Sequence, residues 1–365
     1  MKLSAAREVL LKSLQAVIGV VERRQTMPIL ANVLLVAKDD KVAITATDLE
    51  VELVASAEVD VQGPGEVTVP GRKLLDICRA LPEGASVAIS QSGEKVIVKS
   101  GRSKFSLTTL PAAEFPTVDD IKAGQALELP QETLGKLLEK THFSMAQQDV
   151  RYYLNGLLLE TGKQHLRAVA TDGHRLAICQ VKLPGGKLPE QQVIVPRKGV
   201  LELQRLLSGE GNLNLELGSN HIRIQLEGIR FTSKLIDGRF PEYERVIPQD
   251  TSNELKADRQ ALRGALQRTA ILSNEKFRGI RLSIRGNSMV LQAHNPEQEE
   301  AEEELEVQYE GEDLEIGFNV NYLLDALGAI DSEQVSLSVV DSNSSCLLRE
   351  PAQEDCKYVV MPMRL

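Results

Sequence analysis

The chain has 365 residues and a formal charge of −10 from 42 Lys+Arg against 52 Asp+Glu, with no Trp and only seven Phe and six Tyr. Apolar content of 42% and charged content of 26% exclude bulk disorder, and no 18-residue apolar run exists to span a membrane. The length predicts two or three domains at roughly 100–200 residues each, and the acidic total, taken alone, argues against a nucleic-acid partner. The first element is helical, because Val9, Leu10, Leu14, Val17 and Ile18 fall at helical spacing within 4–19. Charges at Lys2, Arg7, Glu8 and Lys12 interrupt any apolar leader there, which predicts no signal peptide. Alternation over 41–45 predicts a strand, Val69-Pro70-Gly71-Arg72-Lys73 opens a second helix, and 95–99 alternate again after a Ser92-Gly93-Glu94 turn. Leu134, Leu137, Leu138 and Thr141 restore helical spacing, 221–226 alternate after Ser219-Asn220, and Leu262, Leu266, Thr269 and Ala270 are helical once more. The predicted helices cover 5–24, 71–83, 131–143, 197–208, 257–269 and 319–330. The end, Tyr358-Val359-Val360-Met361-Pro362-Met363-Arg364-Leu365, is apolar where termini are ordinarily polar. It is either a final strand in a core or the lining of a groove, and its methionines suit varied partners.

Three patterns recur at a spacing near 124 residues. Ile44-Thr45-Ala46-Thr47-Asp48-Leu49-Glu50 is matched by Val169-Ala170-Thr171-Asp172-Gly173-His174-Arg175-Leu176, and more weakly by Leu291-Gln292-Ala293-His294-Asn295-Pro296-Glu297. The helix opening at Val69 is matched by Val195-Pro196-Arg197-Lys198-Gly199 and by Phe318-Asn319-Val320-Asn321-Tyr322. Phe105–Leu110 with Phe115-Pro116 is matched by Phe231–Ile236 with Phe240-Pro241, and Tyr358–Pro362 closes the third copy. Solenoid periods are about 20–50 residues, so this period means whole domains repeated. Linker composition at 116–120 and 248–253 places the domains at 1–124, 125–250 and 251–365. Each copy should hold two helices and about eight antiparallel strands, an α+β fold.

The charge divides unevenly. The six predicted helices sum to about +6, which leaves about −16 on the rest. Two readings stand: good helix formers on solvated faces, or a basic helical surface turned toward a polyanion. Catalytic signatures are missing: there is no GxxxxGK[ST], GxGxxG, HExxH or GxSxG, and the five His and four Cys show no ligand spacing. The Cys fit a reduced cytosolic protein in which they act as small apolar residues. The turn Thr171–Arg175 reads as a binding surface, a structural turn, or an acid/base pair of Asp172 and His174. The acidic run Glu297–Glu304 reads as a solvated face or as a partner edge for Arg102 and Lys104. Ile271-Leu272 is core, or the apolar contact that such ion pairs need beside them.

Six stretches, Gln148–Gly156, Ala170–Ala177, Val195–Gly199, Asn274–Gly279, Asn295–Glu302 and Tyr358–Leu365, closely resemble the family of bacterial β sliding clamps, the processivity subunits of DNA polymerase III. The resemblance covers essentially the whole chain. It implies three clamp-type domains, helices lining an inner face, antiparallel sheets outside, and a ring-shaped head-to-tail homodimer that encircles duplex DNA without sequence preference. It implies no catalysis, no cofactor and no metal, a cytoplasmic location, and partners that dock through short linear motifs: replicative polymerase, clamp loader, repair and translesion polymerases. By matching motif, the DNA-facing residues are Arg24, Arg72, Lys73, Gln148, Tyr152, Tyr153, Arg197 and Lys198. The partner-peptide pocket maps to Arg151, Leu154, Thr171, Gly173, His174, Arg175, Leu176, Pro241, Val246, Asn319, Tyr322, Ser345, Val359, Val360, Met361, Pro362, Met363 and Arg364. The dimer contact maps to Phe105, Leu107, Ile271 and Leu272 at its centre, with Arg102 and Lys104 facing Glu299, Glu300, Glu302 and Glu303. The segment 23–28 and the loop 181–192 depart from the pattern.

Overall fold

The computed structural model describes residues 1–21, 27–118, 125–162, 164–183, 190–249 and 253–364. Arg24, Leu365 and parts of the two expected linkers and of the 181–192 loop lie outside them. Two helices appear in each repeat: α1 (Arg7–Val17), α2 (Gly71–Ala80), α3 (Gln131–Thr141), α4 (Arg197–Leu206), α5 (Arg259–Thr269) and α6 (Val320–Ala329). Nine, eight and nine strands fall in the three repeats among the described residues, close to the expected eight.

The helices are shorter than predicted, for local reasons. α1 was expected to run to 24 but stops at Val17, followed by a 3-10 turn over Ile18–Val20. The run Val17-Ile18-Gly19-Val20-Val21 joins β-branched residues to a glycine, and both disfavour a continuing α-helix. α2 ends before Leu81 because Pro82 excludes the helical conformation from the residue ahead of it. Arg7 then reaches the open carbonyls at the end of α2, with Nε donating to Cys78 O at 2.8 Å and Nη2 to Arg79 O at 3.2 Å. α5 and α6 carry side-chain N-caps: Asp258 accepts from Ala261 N at 2.7 Å, and Asn319 from Asn321 N at 3.0 Å.

The chain groups into two compact units, one of 1–132 with 201–235 and the other of 133–200 with 236–365. The cause is sheet continuity between repeats. In the first unit an eight-stranded sheet runs Gln125–Pro130, Asn212–Leu217, His221–Leu226, Ile229–Lys234, Val51–Glu58, Lys41–Thr47, Asn32–Lys38, Gly65–Pro70. The join is Ile229–Lys234 against Val51–Glu58, which pairs strands of the second and first repeats. In the second unit a nine-stranded sheet joins the repeats where Arg175–Lys182 meets Cys356–Val360. Each unit also has a sheet drawn from one repeat: five strands from Asp60–Gly63 to Ser103–Thr108, and four from Glu300–Glu306 to Leu314–Asn319. The helices pack their apolar stripes on these sheets. α1 buries Leu10, Leu14 and Val17, and at the start of α2 a Cβ on Gly71 would stand 2.9 Å from Val33, so only glycine permits this approach.

The cysteines depart from expectation. Cys179 and Cys356 are joined by a disulfide between the two strands that link the second and third repeats. They are 177 positions apart and face each other in register, with Cα atoms 4.0 Å apart. A pairing made by tertiary register leaves no trace in local spacing, so the expectation of free thiols throughout is corrected here. Cys78 and Cys346 are free and buried, and burial pushes their thiols up to about 11 and about 12.

Candidate functional site

The turn Thr171–Arg175 is built by its own side chains. Asp172 Oδ1 accepts from His174 N at 2.9 Å and Arg175 N at 3.0 Å, while Thr171 Oγ1 accepts from Gly173 N at 3.1 Å and donates to Arg175 O at 2.6 Å. Gly173 sits at φ +88°, and a Cβ there would lie 3.0 Å from the Arg151 guanidinium. That guanidinium is held by Asp149, at 3.0 and 2.8 Å, and Nη2 also donates to Asp172 O at 3.3 Å. The paired guanidinium holds the Asp149 carboxyl down at about 2.

The C-terminal segment joins this turn. Beyond the pairing of Arg175 with Val360, Met361 N donates to His174 O at 2.9 Å, and Met363 N donates to Gly317 O at 2.8 Å. The chain end is the final strand in a core that was one of its two expected readings. Tyr358, Val359 and Val360 form a buried strand, and Met361 then emerges 38% exposed. Arg175 lies across Tyr322 of α6, its guanidinium 4.6 Å from the ring centre. Tyr322 itself is half-buried, which raises its hydroxyl above the ordinary tyrosine value, and the nearby Asp172 carboxylate adds to that.

The predicted pocket residues therefore sort by depth. His174, Pro241, Val246, Met361, Arg151 and Arg364 are exposed, while Asn319, Tyr322, Ser345, Pro362 and Met363 are half-buried. Leu154, Leu176, Val359 and Val360 are buried; Leu176 and Val359 belong to a core cluster with Leu158, Phe240 and Tyr243. The acid/base alternative loses its base: the Asp172 carboxylate is committed to two backbone N–H groups and, through Oδ2, to Arg175 Nε at 3.0 Å. Among the described residues no group of three or more His, Cys, Asp or Glu is placed to hold a metal, and no helix is long and apolar enough to cross a membrane.

Of the DNA-facing candidates, Arg24 lies outside the described residues. Lys73, Gln148 and Tyr152 are exposed; Arg72, Tyr153, Arg197 and Lys198 are half-buried. Arg72 is turned inward, Nη2 donating to Val21 O at 2.6 Å. Several other helical cations are also committed within the chain. Arg205 donates to Gln15 O and Ala16 O, Arg259 to Ser332 O and Leu327 O, and Arg268 to Glu303. The helical charge of about +6 thus overstates the positive surface left for a polyanion.

The candidate dimer residues lie on two sheet edges. Ser103–Thr108 and Glu300–Glu306 each pair on one side only among the described residues. Phe105 and Leu107 are half-buried on the first, with Arg102 and Lys104 exposed beside them. On the second, Glu300 and Glu302 face outward, whereas Glu303 points to the other face and is bound by Arg268 of α5. Period-two alternation separates them. Glu299 accepts from Asn295 Nδ2 at 2.6 Å. Ile271 is 73% exposed, which excludes the core alternative for it, and Leu272 is half-buried.

Sequence reasoning missed Asp149, Phe143, Asp325, Val150 and Phe277. Val150 is 95% and Phe277 56% exposed, and both lay inside recognised motifs. Phe143 and Asp325 touch Arg175 from 32 and 150 positions away, which no local pattern reports. Cavities of about 370 and 620 Å³ open elsewhere on the third repeat, beside Arg281 and beside Tyr309.

Three models of the DNA polymerase III beta subunit match the chain: the N-terminal domain over residues 1–119, the central domain over 128–242 and the C-terminal domain over 244–364. The Beta sliding clamp of Pseudomonas putida is 56% identical over 367 residues, and that of Escherichia coli K12 is 53% identical, each pair covering all of both chains. Among solved structures, a sliding clamp of Pseudomonas aeruginosa bound to griselimycin superposes with a TM-score of 0.97 at 54% identity, covering 100% of both chains. The beta subunit of Caulobacter crescentus does so at 0.96 and 40%, again over 100% of both.

Proposed function

The chain belongs to the DNA polymerase III beta subunit family, the sliding clamps, which are non-catalytic processivity subunits, and we propose that two copies close head to tail into a ring around duplex DNA in the bacterial cytoplasm. Its three domains have the clamp fold. The domain limits proposed are 1–124, 125–250 and 251–365. The edge of Ser103–Thr108 in one copy meets the edge of Glu300–Glu306 in the other. Phe105, Leu107, Ile271 and Leu272 give the apolar contact, and Arg102 and Lys104 face Glu299, Glu300 and Glu302. Glu303 braces α5 instead. Retention on DNA is topological, so few phosphate contacts are needed; a strongly basic wall would make binding steeply salt-dependent and impede sliding. That suits a chain in which Lys73, Gln148, Tyr152, Tyr153, Arg197 and Lys198 remain as contacts while several other cations serve as caps.

Polymerase, clamp loader, and repair and translesion polymerases dock their short motifs against the Thr171–Arg175 turn, Tyr322 and Met361–Arg364, and griselimycin takes the same place. The observation that carries this is the Met361 N–H bonded to His174 O, which brings a semi-exposed apolar chain end against a turn preset by its own side chains. Protein loaded on nicked circular DNA should stay bound through gel filtration and be lost when the circle is linearised. Retention on linear DNA with free ends would refute the ring.

A further inference from the structure

Arg175 is held by its own chain through three of its five N–H groups. Nε donates to Asp172 Oδ2 at 3.0 Å, Nη2 to the Phe143 carbonyl at 2.6 Å and Nη1 to Asp325 Oδ2 at 2.5 Å. Its guanidinium also lies over two rings, 4.6 Å from the centre of Tyr322 and 5.8 Å from that of Phe143. The side chain is only 13% exposed. A guanidinium offers its N–H groups in a rigid planar fork, so three partners at its edges fix its plane. Two of those edges are held by the second repeat, at Asp172 and Phe143. The third is held by the third repeat, at Asp325 on α6, one helical turn beyond Tyr322.

We propose that Asp325 is a positioning residue for partner docking. It pins Arg175 to α6, and so sets the distance between the Thr171–Arg175 turn and the Tyr322 ring that forms the opposite wall. Arg175 accordingly acts as a strut between the turn and α6. The proposal rests on the docking role assigned to this turn. Without the Asp325 carboxylate, Arg175 stays bonded to the second repeat, and Tyr322 is tied to it by ring contact alone. The strand pairing of Arg175 with Val360 and the bond from Met361 to His174 are untouched, so the fold persists. The docking-competent arrangement becomes a minority state, and affinity falls by the fraction lost.

The test is surface plasmon resonance of griselimycin on the full-length protein, with thermal unfolding alongside. Asp325→Asn should weaken binding about tenfold, mostly through slower association, as a tenth of the molecules then hold the competent form. Asp325→Glu should restore affinity to within about twofold, and neither change should move the unfolding midpoint by more than about 2 °C. Asp325→Asn that binds like the parent, while Met361→Asp abolishes binding, overturns the proposal and leaves the docking surface standing. Weakened binding with a lowered midpoint that Asp325→Glu does not restore makes Asp325 merely structural, and overturns it too. Met361→Asp that binds like the parent removes the docking surface itself, and the proposal with it.

Discussion

The turns Thr47–Val51 and Thr171–Arg175 occupy equivalent places in the first two repeats and share a hydrogen-bond scheme. Asp48 Oδ1 accepts from Glu50 N and Val51 N at 2.9 and 2.7 Å, as Asp172 does from His174 and Arg175. Thr47 Oγ1 accepts from Leu49 N at 3.1 Å, and Thr171 Oγ1 accepts from Gly173 N at the same distance. Even the incoming strand is copied: Lys234 N donates to Glu50 O at 2.8 Å, where Met361 N donates to His174 O at 2.9 Å. The differences lie in three side chains, and the second turn has His174 where the first has Glu50. Where the second turn has Gly173 the first has Leu49, held at φ +77°, and where the second has Arg175 the first has a fully buried Val51. The two turns share a backbone scheme, and the proposed docking role is an addition made by side chains upon it.

Replacing Arg175 by the valine of the first turn should erase that addition. Arg175→Val leaves Asp172 Oδ2, Asp325 and the Phe143 carbonyl without their donor. It should weaken griselimycin binding more than about 100-fold and cost about 2–4 kcal/mol in urea unfolding. Unchanged binding would mean the two turns differ in sequence but not in function. A smaller effect separates scaffold from site. Asp48→Ala and Asp172→Ala each remove an acceptor shared by two backbone N–H groups, so each should destabilise by about 1–2 kcal/mol. Only Asp172→Ala, which also frees one edge of Arg175, should reduce binding; equal losses from both would dissolve the distinction. The smallest effect concerns the loop beside the second turn. The Asp149 carboxyl, ordinarily near 3.8, is held at about 2 by Arg151. Because its folded value is depressed, the pair supports the loop above about pH 4, and that support is lost as pH falls through about 2. Carbon-detected NMR should place the Asp149 midpoint near 2; a midpoint near 3.8 would show that Arg151 is not held there.

The repeats and the helices were legible because both are written in local spacing. Leu10, Leu14 and Val17 mark α1 by themselves, and Thr47-Asp48 and Thr171-Asp172 mark the duplicated turn. What local spacing omits is which repeat a strand pairs with. Ile229–Lys234 joins Val51–Glu58, and Arg175–Lys182 joins Cys356–Val360, so sheets run across repeat boundaries that composition alone suggested were separations. The Cys179–Cys356 bond and the Arg175–Asp325 pair were hidden for the same reason. Charge counting failed differently. Arg7, Arg205 and Arg259 were tallied as surface, yet their guanidinium groups close off carbonyls inside the chain. A formal charge records that a cation is present and nothing about whom it is already holding.

The strand Glu300–Glu306 shows Glu300, Glu302, Glu304 and Glu306 on its exposed face and leaves one backbone edge unpaired among the described residues. Such an edge ordinarily invites any other strand. Laid against its own twin it would set carboxylate opposite carboxylate, and like charges across a strand pair repel. The edge therefore refuses its own image. In the proposed head-to-tail ring, copies that meet through it follow one another in a single sense of travel, and the closed set has a front that differs from its back. Direction would then belong to the object itself: whatever approaches along its axis meets one face or the other, never an indifferent one.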